Sequence, residues 1–170
     1  MARCYAKFKP SERGIRAGFL SHRDVKGYTP MHEAAFRGND RLLQTLDAFK
    51  APINIIDTSA QQETPLFKAV SFGMTTAVER LLKLGALPNM FNARGDTPLH
   101  IACCKTNVEV VDTLLNYGAK TDTSNRLGFT PVDVAEAQDT VEGGMILTLI
   151  SYHENLRVEE EQRQQERQQE

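Results

Sequence analysis

Apolar positions along this chain fall into two recurring arrangements. One is a short stretch opened by Thr-Pro with an Ala near its fifth or sixth place: TPMHEAA from Thr29, TPLFKAV from Thr64, TPLHIAC from Thr97 and TPVDVAE from Thr130. The other is a leucine pair followed by Gly-Ala, seen at Leu81-Leu82 with Gly85-Ala86 and at Leu114-Leu115 with Gly118-Ala119, at one offset from its Thr-Pro. The four Thr-Pro pairs begin at 29, 64, 97 and 130, so they are spaced by 35, 33 and 33 residues. Proline fits the first turn of a helix, where its missing N–H would have no partner, and a preceding Thr can cap that turn. A helix is therefore predicted to start at each Thr-Pro. A second apolar helix, such as Val108 to Asn116, follows a tight turn and stops at Gly118, a residue suited to a left-handed C-terminal cap. The unit is a helix pair followed by a polar extended turn. One such pair cannot bury its own apolar face, and the four units exceed the three or so that stacking requires.

A 33-residue period opened by T-P-L-H-x-A resembles the ankyrin repeat, and the resemblance runs over residues 24–151. It implies an all-α class: an ankyrin-repeat solenoid of stacked helix pairs with projecting β-turn fingers. The organisation expected is a basic, partly disordered segment over 1–23, repeats at 24–58, 59–91, 92–124 and 125–151, and an acidic, Gln-rich helical tail over 152–170.

The pattern departs from regularity in places. Lys50 stands where a Gly is expected before Ala51, and the stretch from Asn54 to Thr64 is two residues longer than its counterparts. The long finger at 55–63 reads equally as a ligand contact or as tolerated loop drift, because loop lengthening costs little. Repeat four has Asp133 where repeats one and three have His32 and His100, and Gly143-Gly144 where its second helix should run. Two glycines cost roughly 1 kcal/mol each in a helix interior, so that helix is expected to begin at or after Gly144. Ile146, Leu149, Ile150, His153 and Leu156 then lie on one helical face that continues past the repeat. No apolar residue follows Val158, and Glu159 stands four before Arg163. The tail reads as a solvated helix that caps the stack rather than a coiled coil, which would need apolar heptads.

Composition adds boundaries. With 41% hydrophobic and 25% charged residues the chain is of globular type, and a formal charge of −2 offers no overall pull toward nucleic acid or anionic lipid. The charge is uneven: Met1 to Lys26 has seven basic and two acidic residues, net +5, whereas Tyr152 to Glu170 has six Glu and three Arg, net −3. No apolar run of about 18 residues exists and no secretory core precedes Leu20, so a soluble, non-secreted chain is expected. An odd cysteine count, Cys4, Cys103 and Cys104, points to a reducing compartment, cytosol or nucleus.

Chemistry is sparse. The His and Cys residues lack metal-ligand spacing, and no nucleophile elbow, phosphate loop or kinase signature is present, so neither a cofactor nor catalysis is expected. In the ankyrin family the motif histidine links neighbouring turns, which accounts for His32 and His100. Cys103 reads as buried and inert; Cys104, one step toward the concave face and near Lys105, reads by default as a buried small hydrophobe, with a mildly reactive thiol as the alternative.

Resemblance to the family places partner contacts at the finger tips, the residue before Thr-Pro and the end of each first helix. Those positions are Tyr28, Phe36, Arg37, Glu63, Phe72, Phe91, Arg94, Asp96, Cys104, Lys105, Arg126 and Phe129. Five of the chain's twelve aromatics fall among them, and aromatic plus Arg content favours protein-binding hot spots. The expectation is a monomeric, non-catalytic module that binds another protein. Alternatives are an inhibitor resembling the IκB group, though the head has no Asp-Ser-Gly degron, and a nucleic-acid-associated protein using the basic head.

Overall fold

A computed structural model describes residues 20–169. Within them lie eight α-helices and no strand: α1 Pro30–Phe36, α2 Asp40–Ala48, α3 Pro65–Ser71, α4 Thr75–Lys83, α5 Pro98–Cys104, α6 Val108–Asn116, α7 Pro131–Glu136 and α8 Val141–Gln169. The expectation for residues 1–19 lies outside this range.

Each first helix begins where Thr-Pro stands. Thr29, Thr64, Thr97 and Thr130 hold extended backbone, with ψ between 165° and 167°, and the proline after each takes the first turn. The second helices start at Asn39 and Asn107 through side chains that accept from Leu42 N and Val110 N, both at 3.1 Å. α1, α3, α5 and α7 pack in order as one layer, and α2, α4, α6 and α8 as the other. Met31, Leu43, Leu66, Phe67, Leu81, Leu99, Leu114 and Ile146 are fully buried between them, and each such side chain stabilises the stack by roughly 1.5–3 kcal/mol. The Ala of the motif explains itself here. Ala34, Ala69, Ala102 and Ala135 are wholly buried, one per repeat, where a larger side chain would force the helices apart.

In the first three repeats the two turns at helix ends need left-handed backbone. The turn between helices holds it at Gly38 (φ 63°), Gly73 (φ 65°) and Thr106 (φ 51°), each followed by an N–H that reaches back to Ala34, Ala69 or Ala102. The end of the second helix holds it at Gly85 (φ 93°), Gly118 (φ 79°) and Lys50 (φ 59°). Lys50 thus adopts the glycine conformation without being glycine, a cost of about 1 kcal/mol or more.

Histidine and asparagine tie neighbours together. His32 Nδ1 accepts from Thr29 N (3.2 Å), which leaves Nε2–H to donate to the Glu63 carbonyl of the next unit at 3.0 Å. His100 repeats this between Thr97 N and the Phe129 carbonyl. Burial is the largest influence on His32 and lowers its pKa, so the neutral ring is the state that makes this bridge. Asn54 bonds Gly85 O and Leu87 N one repeat on, and Asn89 bonds Gly118 O and Lys120 N.

The C-terminal end differs from the reading of Gly143-Gly144. α8 begins at Val141, upstream of both glycines, with Thr140 Oγ1 accepting from Gly143 N at 3.0 Å. Gly143 is buried because it is close to α7: a Cβ there would stand 2.4 Å from Gln138 O and 3.2 Å from Ala135 O. Close approach, not helix propensity, sets the glycine. Ile146 and Ile150 are buried, while His153 reaches Asp112 Oδ1 (3.1 Å) and Arg157 donates to Ala119 O (2.7 Å). From Val158 to Gln168 the helix runs exposed for about 16 Å at 1.5 Å per residue. Polar residues cap α7: Asp133 and Glu136 are exposed where earlier repeats bury His32, Phe67 and His100, and Ala35, Val70 and Cys103. The outer side of α8 is less polar, with Val141, Met145 and Tyr152 exposed.

Candidate functional site

The fingers are built on one side chain apiece. Oδ1 of Asp24, Asp57, Asn92 and Asn125 accepts backbone N–H groups across the tip: Lys26 and Tyr28, Ser59 and Glu63, Arg94 and Asp96, Leu127 and Phe129 respectively. A short side chain with an acceptor three bonds from Cα suits this turn, and Asp or Asn supplies it. Successive fingers are then bonded to each other, Ala93 N to Gln61 O at 2.8 Å and Arg126 N to Arg94 O at 3.1 Å. The outcome is a continuous row whose backbone is fixed and whose side chains project.

Among the positions singled out from sequence, the row and the inner-helix ends leave several exposed. Phe91 and Phe129 show 54% and 51% of their surface, Phe72 is comparable, and Arg37, Arg94, Lys105, Arg126 and Cys104 are exposed. Phe36 is half-buried and meets Phe72 edge to face with ring centroids 4.4 Å apart, which joins the first two repeats on this side. Arg37 pairs with Glu33, and Arg94 Nε with Asp96 Oδ2 at 2.9 Å. No ion pair holds Lys105 or Arg126 among the described residues.

Three of the positions turn inward. Asp96 is buried, and its Oδ1 accepts from Asn125 Nδ2 at 2.8 Å, so it braces two fingers from below. Glu63 is buried against Lys68, with Nζ to Oε2 at 2.6 Å, and Asp57 Oδ2 lies 3.0 Å from the same ammonium. Tyr28 is half-buried, stacked on His32 and set over Lys68 Nζ at 4.7 Å from its ring centroid. Burial alone would push the Lys68 ammonium down, yet the hydrogen bonds it donates to Glu63 and Asp57 outweigh it and hold its pKa above the ordinary lysine value. The Asp57 carboxyl is opposed by burial and held below its usual range by bonds from Ser59 and Lys68. Glu63 and Asp96 thus present backbone rather than carboxylate to the outside.

Sequence reading missed the Lys68 cluster and the exposed finger residues Val25 and Leu127, while Ile56, also exposed, lies in the finger at 55–63 whose role it left open. The signal for the first was Lys68 in a place where repeats three and four carry Ile101 and Val134. The signal for the second was adjacency to the Asp or Asn of each finger. Cys103 is buried and its thiol is pushed up to about 12 by that burial, whereas Cys104 is exposed and not the buried small hydrophobe expected, because it lies one position round α5 from the packed face. Among the described residues no group of three His, Cys, Asp or Glu is placed to hold a metal ion, and no helix is long and apolar enough to cross a membrane.

Stacked helix pairs with a bonded row of fingers define a repeat solenoid whose outward side chains are its variable surface. The family model of ankyrin repeats (3 copies) matches residues 31–125 and 69–156, and the chain belongs to the ankyrin-repeat family. It is similar to ankyrin repeat domain-containing protein 13C of Danio rerio and of Xenopus tropicalis and to 13C-A of Xenopus laevis, 38% identical over 72 residues in each case. Those stretches take in 41% of this chain, which spans 14% of the length of these curated relatives.

Proposed function

We propose that this chain is a non-catalytic module that binds a protein partner through its fingers and inner-helix ends, serving as adaptor, scaffold or regulator inside the cell. The observation that carries this reading is the exposure of Phe72, Phe91, Leu127 and Phe129 on a surface whose backbone is already bonded in place. Large apolar side chains left in water together on one face cost free energy that a partner recovers. Since His100 fixes the Phe129 carbonyl and Asn125 fixes its N–H, little main-chain entropy is lost when that ring is covered. Aromatic anchors beside arginines are also the composition of binding hot spots.

A photoreactive residue at position 91 or 129 of the intact chain tests this in cell extract. Cross-linking to a discrete protein from those positions, and not from position 79 on the exposed side of α4, is the expected result. Equal labelling from all three would count against the reading.

A further inference from the structure

We infer that the end of this face formed by the Asn92 and Asn125 fingers receives an acidic protein segment, with a carboxylate against Arg126 and a neighbouring apolar side chain against Phe91, Leu127 and Phe129. The inference rests on the protein-binding reading and names the chemistry of the partner.

The two fingers stand side by side, joined by the Arg126 N to Arg94 O bond of 3.1 Å. Arg126 also lies across its neighbour: a Cβ on Gly95 would come within 2.9 Å of Arg126 N and 3.1 Å of its Cγ. Glycine at 95 therefore makes room for the stem of Arg126 against the adjoining tip. Within residues 91–96 and 124–129 the acids and bases are sorted by depth. The single carboxylate, Asp96, is buried beneath the tips and engaged by Asn125 Nδ2 and Arg94 Nε, while Arg94 and Arg126 are exposed. Lys105 is exposed at the other end of α5, about 10 Å along the helix from Thr97, and stands apart from these tips. Two exposed acids flank these fingers in sequence: Asp122, four residues before Arg126, and Asp133, which is occupied at the start of α7 by Thr130 N at 2.6 Å and the Thr130 hydroxyl at 2.7 Å.

Charge and apolar surface alternate over this patch, with Leu127 showing 79% of its surface between Arg126 and Phe129. An anion with apolar neighbours on both sides is the complementary ligand, and an arginine fork matches a carboxylate with two parallel hydrogen bonds. Polynucleotide is the poorer match. The cations at these tips are two, one of them shared with Asp96, too few for the row of phosphate contacts that carries polynucleotide binding.

The experiment uses the intact 170-residue chain against a displayed library of random 12-residue peptides, followed by fluorescence anisotropy with individual peptides and with a labelled 12-nucleotide oligo-dT. Enrichment of Asp or Glu next to Phe, Leu or Ile is expected, with affinity falling at least tenfold for Arg126→Glu and selection on that variant shifting toward Lys and Arg. Thermal unfolding of the variant at the parent temperature shows that the loss is local, as expected for an exposed side chain. Peptides that depend on Phe91 yet show no preference for acid would overturn the inference and leave the protein-binding reading standing. Failure to enrich any peptide sensitive to Phe91→Ala or Arg126→Glu would overturn both. Tighter binding of oligo-dT than of any selected peptide would overturn the inference in favour of a nucleic-acid ligand.

Discussion

Lys68 Nζ lies 2.6 Å from Glu63 Oε2, beneath the face that Glu63 was expected to present. With Asp57 it forms a buried group of one cation and two anions, roofed by Tyr28. Removing the cation would leave two carboxylates facing each other away from water, so Lys68→Ala should cost about 3–5 kcal/mol. The pH dependence gives a second reading. In the parent chain the folded pKa of Asp57 is depressed, so its contribution is present above the unfolded value of 3.8 and is lost as pH falls through the folded one. Without Lys68, burial should hold the Asp57 carboxyl up rather than down, so part of the deficit should be recovered between pH 7 and pH 5. Urea unfolding at both pH values measures this, and a constant deficit would mean the pair is not buried as described.

Gly143 and Gly144 make a matched pair. Gly144 has nothing within 4 Å of an added Cβ, so Gly144→Ala should stabilise by up to about 1 kcal/mol through helix propensity. Gly143→Ala, which would drive a Cβ into Gln138 O, should instead destabilise by about 1–3 kcal/mol. Equal effects at the two sites in thermal unfolding would contradict the placement of α8 on α7.

Thr106 occupies left-handed backbone (φ 51°) where Gly38 and Gly73 serve in the preceding repeats. A β-branched residue is strained there, and Thr106→Gly should raise stability by about 1 kcal/mol. A measured loss would indicate that the Thr106 hydroxyl bond to Lys105 O outweighs the strain.

The adjacent thiols should separate chemically. At pH 8 a maleimide should label Cys104 within minutes and leave Cys103 unmodified until the chain unfolds, because burial keeps Cys103 protonated and out of reach. Peptide mapping by mass spectrometry reads both, and early modification of Cys103 would show that α5 is not packed as described.

Much of this architecture was legible in the chain. Thr-Pro marked every inner helix, His32 and His100 marked the bridges between units, and Gly118 marked a helix end, because each acts through local geometry that a residue type alone can specify. Three features escaped for one shared reason. The start of α8 depends on the distance from Gly143 to Gln138, the inward turn of Glu63 depends on Lys68 a helical turn away, and that of Asp96 on Asn125 in the next finger. Each is a relation between residues brought together by packing, which periodicity does not encode. Phe36 is intermediate: its position was readable, but its contact with Phe72 arises only when two repeats stack.

The central claim is that the exposed rings of the finger row capture a protein. Quantitative capture from one cell extract by the intact chain and by Phe91→Ala with Phe129→Ala measures it directly, provided both unfold at the same temperature. Since both rings are about half exposed, the fold should be unaffected while captured partners fall at least tenfold. An equally stable double variant that captures the same proteins in the same amounts would contradict the account.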